Sequence, residues 1–370
     1  DRFNGMFALG LYDKSEQKLL LARDHAGIKP LYYMHHSDGI MFGSQYDQLL
    51  AHPWSKGLPF SQTAATLYLH LASVPAPYGI LENTYMLEPG SWLEVDGSGR
   101  IAQGRYYEFP RYQVPTFRGQ DALEAVDAAV SSAVKRQMVS DVPVGAFLSG
   151  GIDSPLVCAK MQEACKSGMH AFTIGTCEEA TDESQEAIRY ARELGIEQTV
   201  ERVSTGDVLE LLDDVVSACG EPFGDYSIFP TLLVSRLARR NYTVMLSGDG
   251  GDELFWGYAQ HFGPLINGVS DFCHSRKWRQ MKWMVRRVLP RLHAGRSHRY
   301  NSLGEWHRAS YSRLPEVCLQ QIFPDMPNWP GEYNHFDYAG CDPDDAAQWL
   351  RQSEINSNLG GILLKVDRAS

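Results

Sequence analysis

The chain has 370 residues, 44% of them hydrophobic, 21% charged and 11% aromatic, with a formal net charge of −11. This is globular composition with material for two cores, and the acidic balance argues against a nucleic-acid partner. No apolar run approaches the roughly 18 residues of a membrane span, which argues against a membrane-embedded chain. No secretory signal is present, and seven cysteines without a C-x-x-C pair suggest reduced thiols in a cytoplasmic setting and argue against zinc.

Residues 1–107 are rich in strand signals. "GMFALGLYD", "KLLLARD", "KPLYYMHH", "GIMFGSQ" and "SWLEVDGSGRI" are short apolar or alternating runs broken by Gly, Asp and Pro. A helix is expected over 61–72, capped by Ser61. Two prolines and a glycine make 108–120 a linker. Beyond it, Leu123, Val126, Ala129, Val130, Ala133 and Val134 recur at helical spacing. Strands are then expected at 143–148, 170–175, 197–203 and 242–247. Helices are expected near 155–167, 183–195, 207–219 and 230–240. This alternation predicts an α/β domain over 121–370, a doubly wound, mostly parallel sheet with helices on both faces. Residues 264–350 read as helical and aromatic-rich. The chain starts inside a strand signal and stops at "LLKVDRAS", so both ends look cut.

Two loops carry the chemistry. In "GAFLSGGIDSPLV" a strand runs into Ser149-Gly150-Gly151 and then into a helix from Ser154. Glycines admit close main-chain approach, and a helix start offers free N–H groups to an anion. A Walker loop, G-x-x-x-x-G-K-[ST], is absent. Asp153 repels bare phosphate, and a magnesium ion between the two resolves the conflict. The plain alternative is an Asp that caps an ordinary βα turn. The second loop, "VMLSGDGGDELF", sets Ser247, Gly248, Asp249, Asp252 and Glu253 after another strand. Both loops leave the carboxyl ends of parallel strands, where α/β ligands bind. Carboxylates packed that closely call for a cation, although a solvated acidic turn is the bland reading.

S-G-G-I-D-S followed by S-G-D-G-G-D-E-L-F resembles the glutamine-hydrolysing asparagine synthetase family, whose synthetase half is an ATP pyrophosphatase (PP-loop) domain. "SDVPVGAFLSGGIDS", "SRLARRNYTVMLSGDGGDELF" and "LLKVDRAS" fit that pattern. "GMFALGLYDKSEQKLLLARDHAGIKPLYY" is similar to the later part of its amidotransferase domain, an αββα fold with an N-terminal nucleophile. The resemblance implies synthesis of asparagine from aspartate and ATP through β-aspartyl-AMP, with ammonia from glutamine. It also implies a cytoplasmic ligase with small-molecule substrates and leaves a homodimer open. Carried over by position, Ser149, Gly150, Gly151, Asp153 and Ser154 hold the pyrophosphate. Asp153 and Asp252 ligate magnesium, and Leu148 and Ile174 contact adenosine. Ser247, Gly248 and Glu253 border the nucleotide, while Asp249, Lys365 and Arg368 act in adenylate formation.

Other stretches stay open. Asp182 and Glu183 stand at a helix start, as an acidic residue near the nucleotide or as ordinary first-turn acids. "EPFGDYSIFP" resembles the segment beside the amino-acid substrate, or is a plain Pro-containing loop. Lys365 and Arg368 neutralise pyrophosphate or end an exposed helix. The basic stretch 276–296 reads as a solvated amphipathic helix, and Arg23 and Asp24 read as structural. The chain departs from the pattern in three ways. No cysteine precedes Cys158, so this chain is not expected to hydrolyse glutamine. Pro155 replaces a serine and removes an N–H. Trp256 replaces a glycine and adds bulk near the nucleotide. A related PP-loop enzyme of the β-lactam synthetase or peptide cyclase type, or a non-catalytic nucleotide-binding homologue, remains as an alternative.

Overall fold

The computed structural model describes residues 3–110, 116–165, 168–178, 182–288 and 296–370. The middle of the expected linker and the end of the basic stretch lie outside them. In the first half, β1 (Ala8–Asp13), β2 (Lys18–Arg23), β3 (Tyr32–His36), β4 (Gly39–Gly43), β5 (Thr84–Met86), β6 (Ser91–Val95) and β7 (Ile101–Arg105) form two antiparallel sheets, ordered β1-β2-β6-β7 and β4-β3-β5. Alternation in β3 decides the layering. Tyr33 joins Leu21, Leu87 and Leu93 between the sheets, while Tyr32 and Met34 face the helices Tyr46–Ala51 and Gln62–Leu71. The helix Gln62–Leu71 is capped by Ser61, whose side chain accepts the Ala64 N–H. Arg23 is buried and donates to the carbonyls of Lys29, Leu87 and Gly27, and Asp24 accepts the N–H groups of Phe7, Ala26, Ile28 and Lys29. Both are structural, as expected.

In the second half, β8 (Val144–Phe147), β9 (His170–Thr176), β10 (Glu197–Val203) and β11 (Val244–Leu246) are parallel, in the order β10-β9-β8-β11. Adjacent residues serve opposite faces. Ala146 and Ala171 join Cys158, Met161, Ala187 and Ala191 on one side, and Phe147 and Phe172 join Val234, Leu237 and Ala238 on the other. Helices therefore cover both faces, as the alternating pattern predicts. The order reverses between β8 and β11, and at that switch point the loops after neighbouring strands diverge and leave a crevice.

Several expectations need correction. The helix expected at 207–219 is two, Thr205–Glu210 and Leu212–Cys219. The basic stretch does form a helix, Arg276–Val288, but it is not simply solvated: Arg279 is buried and donates to the carbonyls of Ser297, His274 and Tyr300. The cysteines are not all reduced, since Cys273 and Cys341 form a disulfide. Tertiary packing joins thiols 68 residues apart, a pairing that local spacing cannot show. Among the described residues, no helix is long and apolar enough to cross a membrane.

The chain closes on a 27-residue helix, Pro343–Ala369. It lies along the second loop and ends against the first half, where Leu364 enters the cluster of Tyr32 and Met34. Lys365 and Arg368 are consequently buried rather than at an exposed helix end.

Candidate active site

After Phe147 the chain turns through Leu148–Ile152 into the helix Asp153–Ala164. Ser154 tightens this turn: its hydroxyl accepts the Ser149 N–H at 2.9 Å and meets the Ser149 hydroxyl at 2.9 Å. Ser149 Oγ in turn accepts the Gly151 N–H at 3.3 Å. No side chain among the described residues caps this helix, so first-turn N–H groups remain for an anion. Pro155 sits buried in that first turn, where its fixed φ fits.

Beside it, β11 leads through Ser247–Gly250 into the short helix Gly251–Phe255. The two turns meet across glycine. A Cβ on Gly248 would stand 2.6 Å from Ser154 N and 2.9 Å from Asp153 Cβ, and one on Gly251 would stand 2.5 Å from Asp153 Cγ. Gly250 has φ +91°, in the left-handed region that only glycine enters freely.

This packing brings the carboxylates together. Burial first, then the charge of Asp252, pushes the Asp153 carboxyl above its ordinary range. Burial, then Asp249, does the same for Asp252. Both shifts mark negative charge that lacks compensation. Lys365 reaches in from the last helix with Nζ 3.0 Å from Asp249 Oδ1. Among the described residues, no group of three or more His, Cys, Asp or Glu side chains is placed to cage a metal alone. Two carboxylates facing an anion cradle instead suit magnesium, which keeps waters and shares itself with phosphate oxygens.

The remaining expected residues are dispersed. Leu148 is buried in the core, with its N–H on the Phe172 carbonyl and its own carbonyl accepting the Thr173 hydroxyl. Ile174 packs on the other face of the sheet, so these side chains are not brought together. Glu253 is buried and held by Tyr258 and Asn358. Asp182 accepts from Thr176 N, Ser184 N and Ser184 Oγ, and the Ser184 hydroxyl bond holds its carboxyl below the usual range. That is a helix-start role. Arg368 lies apart from the loops, on Glu221 and Tyr32. The "EPFGDYSIFP" stretch straps the halves together, with Gly224 N–H donating to Ala72 O at 2.7 Å.

Residues 125–370 match the sequence family described as asparagine synthase, and residues 1–107 match the glutamine amidotransferase domain. The chain belongs to the asparagine synthase family. A Methanocaldococcus jannaschii protein named as a glutamine-hydrolysing asparagine synthetase is 39% identical over 262 residues, 70% of this chain and 50% of its own length. Glutamine-hydrolysing asparagine synthetase 1 of Bacillus subtilis (strain 168) is 33% identical over 71% of this chain and 41% of its own. A Mycobacterium tuberculosis (H37Rv) protein named for the same activity is 28% identical over 99% of this chain and 58% of its own. The chain thus spans about half the length of these relatives.

Family pattern does not reach every residue that shapes this site. Tyr258 and Asn358 hold Glu253, and the indole N–H of Trp256 donates to the Ala347 carbonyl at 2.7 Å. Trp256 therefore leans on the last helix. A cavity of about 220 Å³ also lies between the halves of this asparagine synthase family chain, bordered by His25, Val74 and Met86 on one side and His335, Asn356 and Gly361 on the other.

Proposed function

We propose that this chain carries the synthetase chemistry of an asparagine synthetase that forms asparagine from aspartate, ATP and ammonia, with glutamine as the ammonia source in the full-length protein. The observation that supports this most is the placing of Asp153 and Asp252 on touching glycine turns, where Asp252 adds to the negative charge around Asp153 and Asp249 to that around Asp252. The turn Ser149–Ser154 receives the pyrophosphate portion of ATP on its N–H groups, and Ser247 and Gly248 border the nucleotide. Asp153 and Asp252 hold magnesium, which when bound offsets the charge of the phosphate oxygens.

Reaction proceeds as two displacements. The aspartate side-chain carboxylate attacks the α-phosphorus, the bond to the bridging oxygen breaks, and pyrophosphate leaves. Ammonia then adds to the activated carbonyl carbon, AMP leaves, and the nitrogen sheds a proton. Lys365, paired with Asp249 and buried, fixes positive charge beside the phosphates. Pro155 and Trp256, which alone favoured a non-catalytic homologue, are both accommodated without displacing a charged group of the loops.

The test is an assay of the full-length protein with aspartate, ATP, magnesium and ammonium chloride. AMP, pyrophosphate and asparagine are expected in equal amounts. AMP and pyrophosphate without asparagine would move the reading to another PP-loop amide former, and no AMP would overturn it. Sedimentation of the same protein reads whether it is a homodimer.

A further inference from the structure

Arg368 fits poorly as a ligand of the phosphates. Its Nη2 donates to Glu221 Oε1 at 2.6 Å and to the Tyr32 hydroxyl at 2.7 Å, and that hydroxyl donates to the same Glu221 oxygen at 2.7 Å. The three groups close a triangle drawn from β3 of the first half, from the strap after the helix Leu212–Cys219, and from the last helix. The side chains of Glu221 and Arg368 are 0% and 1% exposed.

A buried ion pair gains little net stability, because desolvation offsets the attraction. This one is also incomplete: Glu221 Oε2 and Arg368 Nη1 are buried without a hydrogen-bond partner among the described residues. What the triangle does well is fix direction. Arg368 stands three residues after Lys365, so the two side chains leave nearly the same side of the helix, about 4.5 Å apart along its axis. Lys365 is the residue on Asp249. The same helix end is pinned again by Leu364 in the Tyr32 cluster and by Asp367, which holds Lys29 at 2.9 Å.

We propose that Tyr32, Glu221 and Arg368 are positioning residues that hold the last helix in the register placing Lys365 on Asp249, so that a residue of the amidotransferase half sets the geometry of the synthetase site. The proposal rests on the synthetase reading above for its kinetic test, and a second measurement frees it from that reading.

The kinetic test is a double-mutant cycle in the full-length protein, with ammonium chloride as nitrogen source and pyrophosphate release as signal. Tyr32→Phe keeps the buried ring and removes only the hydroxyl. If it acts through Lys365, it lowers kcat about tenfold, the worth of one hydrogen bond to a charged group. In a Lys365→Met background it then adds nothing further. Equal fractional losses in both backgrounds would overturn the proposal, as would a lowered thermal midpoint with kcat unchanged. If the wild-type protein releases no pyrophosphate, the synthetase reading fails and hydrogen exchange decides this one. Faster exchange of the amides at 246–254 in Tyr32→Phe supports positioning, and unchanged exchange there sinks it.

Discussion

Gly248 does its work by having no side chain. A methyl group there meets the Ser154 nitrogen at 2.6 Å and the Asp153 carbonyl carbon at 2.9 Å, so the two turns must part to admit it. Gly248→Ala is expected to leave the fold intact and lower pyrophosphate formation about a hundredfold, the effect of displacing reacting groups by an ångström. Steady-state assay beside a melting curve checks both halves of that statement. Asp252 behaves in the opposite sense for stability. Its carboxyl is raised by burial and by Asp249. A group raised in the folded state favours folding below its unfolded value, and that favour is lost as pH climbs through the folded value. At neutral pH the metal-free protein therefore carries a penalty at this site. Asp252→Asn should remove it and gain about 0.5 kcal/mol, a small figure because the carboxyl stays partly solvated. The gain should fade as pH falls toward the ordinary carboxyl value, while pyrophosphate formation is lost at every pH. Urea unfolding across pH without nucleotide or magnesium reads the difference, and a variant less stable than wild type at neutral pH would contradict it.

At the scale of elements, the helix Pro343–Ala369 connects what sequence reading kept separate. It meets Trp256 through Ala347, Glu253 through Asn358, Asp249 through Lys365 and Tyr32 through Arg368. The strands β8 to β11 and most of the helices between them were legible because apolar or helix-spaced residues recur within each short stretch, a local signal, although 207–219 breaks into two helices. The two loops were legible for the same reason: S-G-G-I-D-S and S-G-D-G-G-D-E are contiguous. Arg368, Glu253 and Leu148 were not, because position in a motif does not say which way a side chain turns once a distant helix arrives. Nor did spacing show that Cys273 meets Cys341. Trp256 illustrates the gap. Its φ of +57° is a left-handed value that strains a bulky residue, yet its indole reaches the Ala347 carbonyl and Arg351 lies over its ring. Trp256→Phe keeps the ring packing and drops the N–H. It should destabilise by about 1 kcal/mol, the net worth of one neutral hydrogen bond. Denaturant unfolding measures this, and no change would mean that the indole contact contributes only packing.

The two halves of the molecule share a core rather than touching at a surface. Tyr32, Met34 and Leu364 lie in one cluster, Gly220 approaches the backbone of Asp47, and His70 bonds Ser312 at 2.6 Å. Burial, against the pull of Arg368, raises the Glu221 carboxyl, so this carboxylate depends on its partners for the charge it keeps inside. Without the first half, Tyr32 is gone, Leu364 faces water and the Glu221–Arg368 pair loses its third member. Losing a hydrogen bond to a charged group costs about 1.5–3 kcal/mol and exposing a buried leucine about as much again, roughly 3–6 kcal/mol together. For a piece of 250 residues, such as 121–370, each kcal/mol shifts the melting midpoint by about 2–4 °C. The isolated second half should therefore melt at least about 6 °C below the whole chain, and adding Arg368→Met to it should cost less than the same change costs in the whole chain. Differential scanning calorimetry of the two proteins, each with and without that substitution, makes the comparison. Equal midpoints would show that the halves are stable independently, and that the contact between them serves only to bring their sites close.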